Sequence, residues 1–368
     1  MMKKNFLCKL LYASGILKLI QWFNNLTQKR VTILMFHRVG SYRPGEPAGL
    51  PTLFVQPESF RQIIAVIQKH YNVISMSEYC RRISNDEPLP RNSLVITFDD
   101  GYRDSFRNAF PLLKQHHLPF LLYIPSALLN GGVDYWWDCV YNLCVSLTPK
   151  QLLAGITAAH LENGIEMDLI NAITCLQNDR HIMALRFVEA VGELPELLRK
   201  KIIAKLEMIY AEGKPGLPGE SEIMDFADVK MLLEMGGEIG SHTISHRFLD
   251  KAPASLVWEE VAASKKAIEK KLSTDVLSFA YPAGRMTPEI RDKVEQAHYM
   301  TACTIEEGVN AKLSDPYLLN RVNVSEELIV DRNGQFSTAI FMTRLVLSGL
   351  KRFKRWRFFK PFQTQGLQ

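Results

Sequence analysis

The chain has 368 residues, 47% of them hydrophobic and 23% charged, and its six cysteines form no Cys-x-x-Cys pair. This balance excludes a disordered chain, a collagen-like chain and a polytopic membrane protein, and the cysteine spacing excludes a zinc knuckle or a thioredoxin-like motif. The formal charge of +5 is uneven: residues 1–30 hold six basic side chains and residues 332–368 hold eight, with no acidic one in either stretch, which leaves −9 for the body between them. Basic ends on an acidic body point to an anionic partner for those ends. The scattered cysteines read as reduced and buried.

In chain order, the first thirty residues space Phe6, Leu7, Leu10, Leu11, Ser14 and Leu17 at helical intervals, predicting a basic amphipathic helix over 1–30. Its uncharged apolar run, 10–17, is too short to span a bilayer, and the cleavage-like site near Ala13 and Ser14 comes too early for a signal peptide. From residue 31 short apolar runs alternate with helical periods: strands over 31–36, 72–75, 93–98 and 119–124, and helices over 57–69 and 104–116. The interval 131–225 breaks this rhythm with four helical patterns and a Gly/Pro-rich close, and reads as an all-α insertion. The alternation resumes with strands over 238–240, 277–281 and 300–304 and helices over 255–271 and after Pro288. Buried strands alternating with helices imply α/β architecture: an irregular (β/α) barrel of about seven strands, over 31–130 and 226–330. An open doubly wound sheet is the competitor, and no G-x-G-x-x-G follows the first strand. Residues 331–368 interleave Phe341, Leu345, Leu347, Leu350, Phe353, Trp356, Phe358 and Phe359 with Arg and Lys, a second basic amphipathic segment suited to an anionic membrane surface. No nucleic-acid motif accompanies the charge.

Three segments carry chemistry, each at a strand end. In Thr97-Phe98-Asp99-Asp100-Gly101-Tyr102 two adjacent carboxylates close an apolar strand, a costly place unless they work; one can bind a metal and the other handle a proton. A helix N-cap is the bland alternative. In His242-Thr243-Ile244-Ser245-His246 two imidazoles at i, i+4 suit one side of a helical turn, and with one Asp they form a set that chelates a divalent ion and leaves positions open. In Tyr281-Pro282-Ala283-Gly284 the loop's backbone N–H groups suit a developing oxyanion.

Together and in this order, the three segments resemble the polysaccharide deacetylases, the NodB-homology domain of carbohydrate esterase family 4, over roughly 31–324 with the insertion aside. The resemblance implies a metal-dependent deacetylase that releases acetate from an N-acetylated glycan or lipid-linked sugar. It implies that Asp100, His242 and His246 hold a divalent metal, zinc first, and that Asp99 is the general base. Two departures stand out: the family's third motif often starts with Arg where this chain has Ala280-Tyr281, and the late Leu-x-His is missing, since the only His beyond His246 is His298, read as lying inside a helix. Leu34-Met35-Phe36-His37-Arg38-Val39 resembles the first strand of members whose catalytic histidine comes from there, which makes His37 the proton donor. Tyr102, Tyr281, Pro282 and Ala283 fall on the substrate side, and Trp136 and Trp137, after the fourth strand, either stack on sugar or seat the insertion. O-deacetylation uses the same site, and a catalytically inactive glycan-binding scaffold is the alternative outside enzymes. The missing clear signal peptide favours a cytoplasmic protein, peripheral on the inner membrane through its basic ends, with a periplasmic protein on an uncleaved anchor as the other arrangement.

Overall fold

The computed structural model describes residues 2–25, 30–131, 135–159, 163–174, 179–212, 223–311 and 314–348. Two units separate, one holding the barrel and one mainly helical.

Seven short parallel strands organise the barrel unit: β1 (Arg30–Phe36), β2 (Ser93–Asp99), β3 (Leu121–Ile124), β4 (Glu238–Ser241), β5 (Ser278–Ala280), β6 (Thr301–Cys303) and β7 (Val322–Asn323). They pair in chain order from β1 to β6, and β7 returns to β1 with Leu34 opposite Val322. Just before β7, Leu319 bonds both neighbours of Cys303 on β6, donating to the Ala302 carbonyl at 2.9 Å and accepting from Thr304 N at 2.8 Å. The 319–324 stretch therefore touches the last and the first strand, curling the sheet into an irregular barrel. The expected fold class holds; the strand before Val324 is one that apolar periodicity did not show, because only two residues pair regularly there.

Alternation along the strands sorts the core. Leu34, Phe36, Ile96, Phe98, Leu122 and Ile124 face the outer helices, where Phe60, Ile63, Ile64 and Ile67 of Pro57–His70 meet them. Val31, Ile33, Val95, Leu121, Tyr123 and Leu319 share the other face with Ile74, Met76 and Tyr79. That inner parity, carried to the strand ends, is the parity of His37, Asp99 and Arg321.

Several elements differ from the sequence reading. The helix over 104–116 is two, Arg103–Asn108 and Phe110–Gln115, because Pro111 removes an N–H from the ladder. His298 lies beyond the helix Pro288–Gln296, with φ 60°. Residues 2–25 form two helices, α1 (Met2–Ala13) and α2 (Ile16–Asn25), separated at Gly15, whose φ of 77° ends α1. The C-terminal helix Thr338–Leu347 is buried on every side from Ala339 to Leu347, so it is a core helix and not an amphipathic surface segment. Residues 349–368, the rest of that expectation, lie outside the described residues.

The helical unit comprises Ser41–Pro51 and Asp134–Glu222. The loop 41–51 was not foreseen as part of the insertion. Buried polar groups of the helix Trp136–Ser146 hold it: Asp138 Oδ1 accepts from Leu50 N at 2.6 Å and Asn142 Oδ1 from Gly49 N at 2.8 Å. Trp137 stacks on Tyr135 at 4.6 Å, and Trp136 lies under the Arg199 guanidinium at 4.6 Å. Both tryptophans thus make contacts inside the helical unit.

Candidate active site

Asp99 and Asp100 end β2 and diverge by backbone geometry. Asp99 keeps the inward parity of Val95 and Thr97. Asp100 turns to φ 75°, its N–H donating to the Tyr123 carbonyl at 3.0 Å, and Gly101 continues the turn at φ 77°. A β-carbon on Gly101 would sit 2.4 Å from Leu128 Cδ1, so the turn requires glycine twice over. The following helix begins at Tyr102 with no side-chain cap, which removes the capping explanation for the two carboxylates.

His242 follows β4, its N–H donating to the Ile124 carbonyl at 2.9 Å. The His-x-x-x-His segment is not a helical turn. Thr243 and His246 both have positive φ, 68° and 56°, and the loop is tied down from two sides. The N–H groups of Ser126 and Ala127 donate to the Thr243 and Ile244 carbonyls at 3.0 Å. The buried carboxylate of Glu260 accepts from Ile244 N at 2.7 Å, Ser245 N at 3.1 Å and Ser245 Oγ at 2.8 Å. Glu260 itself projects from a π-helical turn, Glu259–Ala263. A β-branched residue in the left-handed region costs roughly 1–3 kcal/mol and persists only where surroundings impose it.

This loop brings the imidazoles to Asp100. Asp100 Oδ1 lies 3.3 Å from His246 Nε2 and 3.6 Å from His242 Nε2, and one ligand atom from each of the three falls within 4.8 Å of the others. Ligands about 2.0–2.1 Å from a tetrahedral ion sit roughly 3.3–3.5 Å apart, so the set fits a divalent cation. His242 Nδ1–H donates to the Ala280 carbonyl at 2.7 Å, which presents Nε2 as a lone pair toward Asp100. Burial lowers the pKa of both histidines, His246 the more strongly, which keeps them neutral as ligands must be.

Beside this triad is an ion pair that the sequence reading missed. Arg321, fully buried, donates from both terminal nitrogens to Asp99, each bond 2.7 Å, and from Nε to the Thr304 carbonyl at 2.9 Å. Burial alone would raise the Asp99 carboxyl, but Arg321 more than offsets it and holds the pKa at about 2. Thr97 Oγ donates to the Leu34 carbonyl at 2.6 Å and fixes the approach to Asp99. The signals for Arg321 were the absent arginine of the third motif and a cation at the inward position of Leu319-Asn320-Arg321-Val322. His37, at the end of β1, sits one residue past the Phe36–Phe98 register and so beside Asp99. Burial, with smaller contributions from Arg321 and His242 and partial opposition from Asp99, lowers its pKa to about 4.

The remaining predicted residues divide. Tyr102 and Tyr281, expected on the substrate side, are both fully buried: Arg38 stacks 4.5 Å over the Tyr102 ring, and the Tyr281 hydroxyl donates to the Tyr317 carbonyl at 3.0 Å. Pro282 is buried as well. Ala283 is exposed and left-handed at φ 52°, while the N–H groups of Gly284 and Arg285 close the turn onto Tyr281 and Pro282.

Residues 220–302 match the polysaccharide deacetylase family, a range that includes His242, His246 and 281–284 and begins after Asp99 and Asp100. The putative polysaccharide deacetylase YxkH of Bacillus subtilis (strain 168) is 19% identical over 305 residues, 83% of this chain and 75% of that protein. The Streptococcus pyogenes deacetylase PplD, solved in complex with acetate, shares the fold with a TM-score of 0.53 at 18% identity, covering 81% of this chain and 94% of that one. A de-N-acetylase from Aggregatibacter actinomycetemcomitans gives 0.52 at 14% identity, covering 86% and 99%. The chain is thus similar to polysaccharide deacetylases, through the family match over 220–302 and the curated relative, and it shares its irregular α/β barrel with solved deacetylases.

Proposed function

We propose that the protein is a metal-dependent N-deacetylase acting on an amino-sugar glycan. The observation that carries this reading is the Asp100–His242–His246 set adjoining a separately held carboxylate, Asp99, and a neutral imidazole, His37. A divalent cation, zinc first, held by Asp100, His242 and His246 would supply Lewis-acid polarisation of the acetyl carbonyl and a more acidic water.

The chain's own groups handle the protons. Asp99 is ionised at any working pH, and each of its oxygens keeps a second lone pair beyond its bond to Arg321, so it accepts the proton of the attacking water. His37, at about 4, holds a proton more tightly than Asp99 at about 2, so the proton passes to the imidazole and from there to the leaving nitrogen. The new C–O bond replaces the C–N bond; acetate and a free amine leave. The Ala283 N–H is the proposed donor to the oxyanion.

Acetate release from N-acetylated oligosaccharides, measured after chelation and again after adding Zn²⁺, tests the proposal. Release that requires added metal is the expected result. Release confined to O-acetylated glycans overturns the N-acetyl assignment, and release unaffected by chelation overturns the metal assignment.

A further inference from the structure

Seven of the twelve large apolar side chains exposed among the described residues fall within 6–23: Phe6, Leu10, Tyr12, Ile16, Leu19, Trp22 and Phe23. They occupy the outer sides of α1 and α2, while Cys8 and Leu17 on the inner sides are buried, Cys8 against Ile340 of the C-terminal helix. Phe6, Leu19, Trp22 and Phe23 are each more than half exposed. Monomeric proteins rarely leave such a patch open without an occupant.

Charge and topology identify the occupant. No acidic residue occurs from Met1 to Arg30, and Lys9 and Lys18 stand exposed beside the apolar positions. α1 and α2 both pack on the helix Thr338–Leu347, and immediately after that helix the sequence runs Lys351-Arg352-Phe353-Lys354-Arg355-Trp356-Arg357, again without an acid. The fold thus places the α1–α2 face against the helix Thr338–Leu347, a neighbour that the sequence alone does not show. We propose that the exposed α1–α2 face, with Lys9 and Lys18 beside it, docks the protein on a bilayer surface containing anionic lipids.

The geometry favours lying in the interface over crossing it. No single described helix is long and apolar enough to span; α1 and α2 are bent by 69° about their junction, and the domain already occupies their inner sides. Gln21 of α2 lines a small cavity with Arg30, Ser93, Leu345 and Val346, which puts α2 at the amino-terminal ends of β1 and β2. The active site is at the carboxyl ends of those strands, and seven residues of β-strand span about 20 Å. The catalytic mouth is therefore held roughly that far from the lipid, which suits a glycan extending from the surface.

Flotation of the full chain with phosphatidylcholine vesicles, with and without about one-third phosphatidylglycerol, tests the assignment. Wild type is expected to float with the anionic vesicles and to lose binding as salt rises. Combining L19E, W22E and F23E is expected to weaken flotation at least ~10-fold, whereas L197E with M208E, exposed in the helical unit, leaves it unchanged. Matching thermal unfolding midpoints establish that the first variant is folded. Failure of wild type to float, or flotation of the first variant equal to wild type, overturns the proposal. So does sedimentation showing that wild type is a dimer that this variant dissociates, with no vesicle bound, since a second copy would then be the occupant.

Discussion

At the scale of single residues, the Asp99–Arg321 pair decides most of the behaviour. A bidentate pair with both partners buried is weak evidence for net stability, but breaking it leaves an uncompensated charge, at roughly 3–5 kcal/mol. Arg321→Met should lower the unfolding free energy by about that much, and Arg321→Lys should recover only part, because an ammonium cannot reproduce the fork. Denaturant titration measures both. Holding the Asp99 carboxyl at about 2 against its ordinary 3.8 has a pH signature. The stabilisation, about 2 kcal/mol, is complete above pH ~4 and disappears as pH falls through ~2. In metal-free protein the slope of unfolding free energy against pH in that window should flatten for Asp99→Asn. The same substitution should cut acetate release by ~10²–10⁴-fold while metal affinity, measured calorimetrically, changes little, since Asp99 is not in the ligand set. An affinity loss as large as that for His246→Ala would instead place Asp99 among the ligands.

At the scale of elements, the His-x-x-x-His loop shows why spacing and geometry are different things. The spacing i, i+4 is what a helix would use, yet the chain here leaves β4, reverses through two left-handed residues and is pinned by Glu260 and by the backbone after β3. Three hydrogen bonds to Glu260 set the loop that carries both histidines. Glu260→Gln should weaken metal binding ~10–100-fold, the range for residues that position ligands, with a small change in melting temperature. Unchanged metal affinity would show that the bonds from residues after β3 suffice. Gly101→Ala should be more damaging than its size suggests, because both its φ and the nearby Leu128 oppose a side chain.

At the scale of the whole molecule, the curled sheet makes its first and last strands neighbours, and the site depends on that closure. His37 comes from β1, Asp99 from β2, His242 and His246 from the end of β4, and Arg321 from the edge of β7. The helix Thr338–Leu347 secures the closing edge: buried Arg344 bonds Glu307 at 2.7 Å and the Asn323 carbonyl at 3.0 Å. Deleting 331–368 should yield protein without a cooperative unfolding transition, since Ala339–Leu347 supply a continuous buried surface. A cooperative transition near the full chain's midpoint would mean that the barrel closes without this helix.

The three side chains that converge on a candidate metal site, the carboxylate beside them and the α/β alternation were legible in the sequence, because short motifs at strand ends and apolar periodicity are local properties. What the tertiary structure decided is non-local. Arg321 stands 222 residues from Asp99, and no local pattern pairs them. Tyr102 and Tyr281 sit in motifs yet face the core, since side-chain direction at a strand end depends on how the chain turns. The apolar residues of the C-terminal helix read as a surface stripe until packing covered every side of it. Hydrophobic patterning identifies which residues need burial; only the closed barrel determines which side chains meet inside it.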